Sequence, residues 1–316
     1  MNKDFEPIKL DRVKSYSLKD RQSKVNTKDF GKICSKACNI SQFIGSLPNI
    51  LAARDLKEVI FEIITAYKSD KVIVFGLGAH VIKVGLNPII IDLMEKGIIS
   101  SVALNGAGVI HDSEIAMAGQ TSEDVIDGLQ EGSFGMAEET ARVINEAISQ
   151  GTEKGWGVGM SVGKRLLELD LPYNNLSILA SGVRVGIPVT VHIAVGTDII
   201  HMHPSCDGAS VGKGSHLDFR LFSSIISHLK GGVYLNIGSS VILPEVFLKA
   251  LNLVRNLEFD VADFTTVNMD FIQHYRPMTN VVKRPTSWGG KGYAITGHHE
   301  IMVPLLAAAI LEGLEL

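Results

Sequence analysis

From residue 54 onward the apolar positions follow two alternating rhythms. DLKEVIFEIITAYKS carries its apolar residues at helical spacing and hands over to KVIVFGLGAH, a short β-branched run that ends in glycines. A helix to about Lys96 follows, then IISSVALNGAG, a second such run ending in asparagine and glycines. IPVTVHIAVGTD, GGVYLNIGSS and FDVADFTTVN repeat the pattern, with helices expected near 136–150, 152–169, 174–185, 218–229 and 243–256. Apolar runs separated by helices predict a doubly wound, mostly parallel sheet of Rossmann-like α/β type, covered on both faces by right-handed crossovers. Residues 51–316 are expected to form this single domain. Residues 1–50, with alternating charges and little periodicity, are a polar extension expected to wrap the surface or a partner subunit.

Ligands of such sheets bind outside the carboxyl ends of the strands, so the strand exits are read together. They are Gly76 and Gly78, Asn105, Gly106 and Gly108, Thr197 and Asp198, Gly238 to Ser240, and Thr265 with Thr266. Glycines let a backbone come close to a pyrophosphate, and a carboxylate suits ribose hydroxyls, so the set predicts a dinucleotide. GLGAHVIKVG by itself is weak, because it lacks the G-x-G-x-x-G spacing. SEI at 113–115 is expected to begin a helix.

Charge narrows the partners. The 316 residues carry a net charge of -4 and no basic block, which excludes a nucleic-acid or anionic-membrane surface and leaves a small molecule. Mean hydropathy is high at +0.21, yet no run of about 20 apolar residues exists to span a bilayer, and no apolar secretory segment opens the chain. Three cysteines, Cys34, Cys38 and Cys206, suggest incidental thiols in a cytoplasmic protein, and CSKAC without a second pair is a poor metal motif.

The stretch richest in chemistry is RPTSWGGKGYAITGHHEIMVP, residues 284–304. Gly289, Gly290 and Gly292 free the backbone around Lys291 to approach a ligand, which makes Lys291 the candidate nucleophile. RPTSWGGK resembles the signature of deoxyhypusine synthases, in which an Arg-Pro turn leads through Ser-Trp-Gly to a lysine that carries the substrate as an imine. Here a second glycine separates Trp288 from Lys291. GHHEIMVPLLAA is similar to that family's last strand and helix, with His298 and His299 as the nucleotide-contacting pair.

The resemblance covers most of the chain from about residue 60 and implies a Rossmann-like homotetramer whose sites lie where subunits meet. It implies that Gly78 through Lys83, Asn105 through Gly108, Asp198, and Gly238 with Ser239 hold NAD. The implied reaction is an NAD-dependent, polyamine-related aminoalkyl transfer: hydride leaves a carbon bearing an amine, and Lys291 attacks the resulting imine. Trp288 beside the lysine would lower its pKa by desolvation, and a histidine would move a proton. This chain departs from the family's acidic pocket. His111 and His203 stand where acids are expected, no acid lies between Arg284 and Trp288, and Leu243 with Pro244 stand near the place of a family histidine. The implied substrate is an amine or amino-acid-like molecule less cationic than spermidine. His111 is assigned to catalysis with Lys291 and Trp288; His203, Asp112 and Arg284 are assigned to substrate.

Two other readings remain. The fold could have kept nucleotide binding and lost transfer, leaving a sensor or an NAD-dependent hydrolase. His192, His201, His203, His216, His298 and His299, with His111 and Asp112, cluster near predicted strand ends, and HMH puts two imidazoles on one face. A metal-dependent hydrolase would use His201, His203 and His192, but no known ligand spacing is present and no metal is assigned. Met94, Met117, Met136 and Met160 are expected as core filler and Trp156 as a packed loop residue. EDVIDGLQEGSFGMAEETARVINEAI is expected to form two helices, the second opened by Glu138 and Glu139.

Overall fold

A computed structural model describes residues 4–316. At its centre is a sheet of six parallel strands: β1 (Ile73–Leu77), β2 (Ser101–Asn105), β3 (Val189–His192), β4 (Val233–Ile237), β5 (Thr265–Asp270) and β6 (Lys291–Thr296). Their order is β3-β2-β1-β4-β5-β6, the doubly wound arrangement expected from the alternating pattern. β1 and β4 are buried at every position, which is why they read as continuous apolar runs. β6 is a largely exposed edge strand, so KGYAIT carries no such run.

Thirteen helices surround the sheet among the described residues. Before β2 come α1 (Ile40–Ser46), α2 (Leu51–Lys68), α3 (Ala79–Lys83) and α4 (Asn87–Glu95). The crossover from β2 to β3 holds α5 (Gly106–Ala118), α6 (Val125–Glu131), α7 (Glu138–Glu153), α8 (Val158–Glu168) and α9 (Ile178–Val185). Then follow α10 (Gly208–Ile226), α11 (Ile242–Asn256), a single turn α12 (Tyr275–Pro277) that runs into a π-helical turn Met278–Lys283, and α13 (His299–Leu314). SEI at 113–115 lies inside α5 and begins nothing. α10 starts ten residues earlier than its apolar pattern suggests, because Asp207 accepts from the Ala209 and Ser210 amides and caps it.

Strand alternation divides the interior in two. Phe75, Leu77, Val102, Leu104, Leu235 and Ile237 enter the larger core, with Val59, Ile60 and Ile63 of α2. Val74, Ala103 and Tyr234 enter a second core against Phe222 of α10 and Leu243, Phe247 and Leu251 of α11. The Tyr234 ring stacks on Phe247 with centroids 4.0 Å apart. Each large side chain so buried contributes roughly 1.5–3 kcal/mol before chain entropy is subtracted. Met94 belongs to the core, whereas Met136 and Met160 are 48% and 40% exposed, contrary to expectation. Trp156 is a packed loop residue, with the Lys154 and Lys164 ammonium groups over its ring.

Residues 4–39 contain only two short 3-10 turns and leave Phe5, Ile8, Leu10, Val13 and Tyr16 exposed. Cys34 and Cys38 form a disulfide, a correction to the free thiols expected. A turn in which the Cys38 amide donates to the Ser35 carbonyl sets their Cα atoms 6.0 Å apart, within bonding range. No helix among the described residues is long and apolar enough to cross a membrane.

Candidate functional site at the strand ends

The exits of β1, β2 and β4, with the turn after β3, converge. The Gly78 amide donates to the Ile237 carbonyl (2.8 Å), and a Cβ on Gly78 would overlap the carbonyl of Gly238, so the β1 and β4 exits touch backbone to backbone. Gly238 turns at φ +69°, where a side chain is strained, and its amide donates to Met269 at the end of β5. His299, the first residue of α13, lies over Gly238: a Cβ there would stand 2.8 Å from Cε1 of the ring. This imidazole is fully buried, and burial lowers its pKa against the opposing charge of Asp270, whose Oδ1 is 3.7 Å from Nε2. His298, His80 and Phe271 extend the aromatic group, with the His298 ring stacked on Phe271. Ser239 is buried and accepts from the Leu243 amide.

β2 ends at Asn105, whose side chain accepts from the Gly108 amide (2.9 Å) and caps α5. A Cβ on Gly106 would collide with the carboxylate of Asp198, so that carboxylate lies directly on the opening turn of α5. Asp198 is positioned by the turn after β3, where the Gly196 and Asp198 amides donate to His201 Nδ1 (3.1 and 3.3 Å). Burial raises its pKa, opposed by His201 and a Thr197 hydrogen bond, and its Oδ2 is buried with no hydrogen-bond partner. An unpartnered carboxylate oxygen beside bare backbone is a place for a donor from outside the chain.

Next to Asp198 a cavity of about 220 Å³ is lined by Lys83, His111, Glu114, Glu123, Phe134 and Thr197, among others. This cavity brings Lys83, His111 and Asp198 together, and with them Glu114 and Glu123, which the sequence reading did not single out. Glu114 lies one helical turn after His111 on α5, a spacing visible in HDSE. Burial raises its pKa, but the nearby His111, whose Nδ1 is 3.9 Å from Oε2, and hydrogen bonds from Thr121 and Thr140 outweigh it and leave the carboxyl lowered. A second cavity, of about 640 Å³, shares Glu114, Ser122 and Glu123 and adds Glu139 and Thr140.

Other expected site residues lie elsewhere. Lys291 is the first residue of β6, at the amino end of the sheet and about 17 Å along the strand from its carboxyl end. Its ammonium contacts Glu62 Oε1 of α2 at 2.5 Å, and this hydrogen bond raises its pKa rather than lowering it. Trp288 is 80% exposed and desolvates nothing there; Arg284 donates to Asn280 Oδ1 (2.9 Å) at the same end. The neighbouring glycines have a packing reason: side chains at 290 and 292 would meet the Phe264 and Val282 carbonyls. Thr266 is not a strand exit but the second residue of β5, buried and donating to the Val281 carbonyl (2.7 Å). Asp112 is fully buried and accepts from Asn87, Ser177 and the Ile178 and Leu179 amides, so it caps α9 and is closed to substrate.

The histidines are also used separately. His203 contacts Glu138 Oε2 (2.8 Å) through Nε2 and Ser205 through Nδ1. His192 is buried against Phe222, and burial pushes its pKa down to about 3. Among the described residues no group of three or more His, Cys, Asp or Glu is arranged to hold a metal.

No known family profile and no curated protein sequence matches the chain. Solved structures do. AgrE in ternary complex with ornithine and NAD+ is similar at 13% identity and TM-score 0.56, over 84% of this chain and 34% of that one. A conserved LOR/SDH candidate from Methanococcus maripaludis S2 is similar at 16% identity and TM-score 0.52, over 84% and 71%. A deoxyhypusine synthase candidate from Entamoeba histolytica is similar at 12% identity and TM-score 0.50, over 89% and 96%. The chain spans about a third of the length of AgrE and of the cyanobacterial arginine dihydrolase ArgZ. At such identities the likeness is one of fold, and the fold is the Rossmann-like α/β arrangement shared with the deoxyhypusine synthase candidate.

Proposed function

We propose that this chain is an NAD-dependent enzyme that acts on an amine at the carboxyl ends of its strands. The observation that carries the reading is the buried, unpartnered Oδ2 of Asp198 lying on the glycine that opens α5. A carboxylate so held accepts from vicinal ribose hydroxyls. A fold neighbour, AgrE, is described in complex with ornithine and NAD+, a dinucleotide and an amine-bearing ligand together. Bound NAD would supply a hydride acceptor.

The chain's own groups do the rest. Lys83 offers a positive charge beside the cavity; Glu114 and Glu123 offer negative ones to an ammonium group. His111 is the imidazole on that cavity, the group placed there to accept or give a proton. With Asp198 given to the ribose, the two glutamates against one lysine favour an amine that carries positive charge. Aminoalkyl transfer through Lys291 would need that residue delivered from a second chain of an oligomer, because within one chain it is paired with Glu62 at the other end of the sheet.

The test is a nicotinamide absorbance assay with NAD and a panel of mono-, di- and polyamines. Amine-dependent formation of reduced nicotinamide is expected. NAD bound without any hydride transfer would favour the sensor, and NAD consumed without amine would favour the hydrolase; either result would overturn the proposal.

A further inference from the structure

Between the two cavities runs a hydrogen-bond chain whose direction can be deduced: His111 lines the smaller, Thr121 and Thr140 the larger, and Glu114 both. The Thr121 hydroxyl stands between His111 Nδ1, at 2.7 Å, and Glu114 Oε2. The Thr140 hydroxyl donates to the other oxygen of Glu114 at 3.1 Å. His111 and Glu114 share one face of α5, Thr121 follows the Gly119 cap of that helix, and Thr140 comes from α7. Packing between α5 and α7 therefore fixes the chain from two sides.

A hydroxyl has one proton to give, and an ionised carboxylate can only accept. The Thr121 proton goes to Glu114, so the Thr121 oxygen must accept from the imidazole. That requires a proton on His111 Nδ1 and leaves the lone pair on Nε2. Other charged groups on the smaller cavity are Lys83 from α3, Glu123 from the loop after α5 and Asp198 from the turn after β3.

We infer that His111 Nε2 is the proton-accepting atom of the cavity, with Thr121 and Glu114 as positioning residues that set its tautomer. The inference rests on the amine-substrate reading above. In the step, an N–H bond of the substrate ammonium breaks and an Nε2–H bond forms, while the electron pair stays on the substrate nitrogen. The new imidazolium charge faces the Glu114 carboxylate through Thr121. No other reactant is needed.

The tautomer can be read without substrate by long-range proton–nitrogen spectra of the protein labelled with ¹⁵N-histidine, above the imidazole pKa, with His111→Gln identifying the signal. The expected wild-type result is the Nδ1–H form. Thr121→Val should shift the signal toward Nε2–H, and Thr121→Ser should restore it; thermal unfolding of the same samples checks that each is folded. Glu114→Gln, which keeps the shape and removes the charge, should give a mixture of the two forms. An Nε2–H wild-type signal, or a Thr121→Val signal unchanged from wild type, would overturn the inference. NAD titration of the same samples tests the broader proposal separately. Once an amine substrate is in hand, Thr121→Val should lower kcat about 10- to 100-fold with KM little changed, and an unchanged kcat would also overturn it.

Discussion

Gly106 and Asp198 meet so closely that neither can be understood alone. The glycine is required because the aspartate carboxylate occupies the space of its missing Cβ. Gly106→Ala should displace that carboxylate, lower stability by about 1–3 kcal/mol and weaken NAD binding; denaturant unfolding and calorimetry measure both. Retained affinity would separate the carboxylate from the nucleotide. Both residues were legible because glycine and acid at strand exits carry meaning once a parallel sheet is inferred. Lys291 was legible only as a motif. Its glycines looked like room for a ligand, but they admit the Phe264 and Val282 carbonyls, contacts that no local pattern reveals. Glu114 was overlooked for the converse reason: its partners Thr121 and Thr140 come from a loop and from another helix.

Buried carboxylates tie the helices of the long crossover to one another and to α10 and β3. Asp112 on α5 caps α9, and Asp218 on α10 accepts from the Gly159 amide at the start of α8 and from the Val191 amide of β3. Burial raises their pKa values, to about 6 for Asp112 and about 7 for Asp218, against amide and hydroxyl hydrogen bonds that lower them. An unfolded aspartate titrates near about 3.9, so between roughly pH 4 and 7 the folded chain binds more protons than the unfolded one. Stability from these two groups is therefore greatest below that window and falls as pH rises through it. Asp112→Asn should remove up to about 3 kcal/mol of that pH dependence while lowering stability at pH 5 by about 2 kcal/mol, since one amide oxygen cannot serve four donors. Denaturant unfolding at pH 5 and 7.5 checks it, and an unchanged slope would rule it out. The sequence offers no sign of these roles: an aspartate in HDSE reads as surface or site, and only the crossing of α5 with α9 makes it a cap. The start of α10 was likewise hidden, because GASVGKGSH has little apolar periodicity.

The strand order brings the exits of β1, β2, β3 and β4 together at one end and puts Lys291 at the other. That architecture was readable from alternating apolar runs and helices, because a parallel sheet buried on both faces leaves a strong periodic signal. Which residues share an end was not readable for β6, whose edge position removes the apolar run that marks the other strands. The AgrE structure, the LOR/SDH candidate and the deoxyhypusine synthase candidate share this fold. Calorimetric titration of NAD into wild type, Asp198→Asn and Lys291→Ala tests this most directly. The account predicts binding by wild type, affinity reduced about tenfold or more in Asp198→Asn, and affinity within about twofold of wild type in Lys291→Ala. Wild type that binds no NAD, or Asp198→Asn that binds it equally well, would contradict the account.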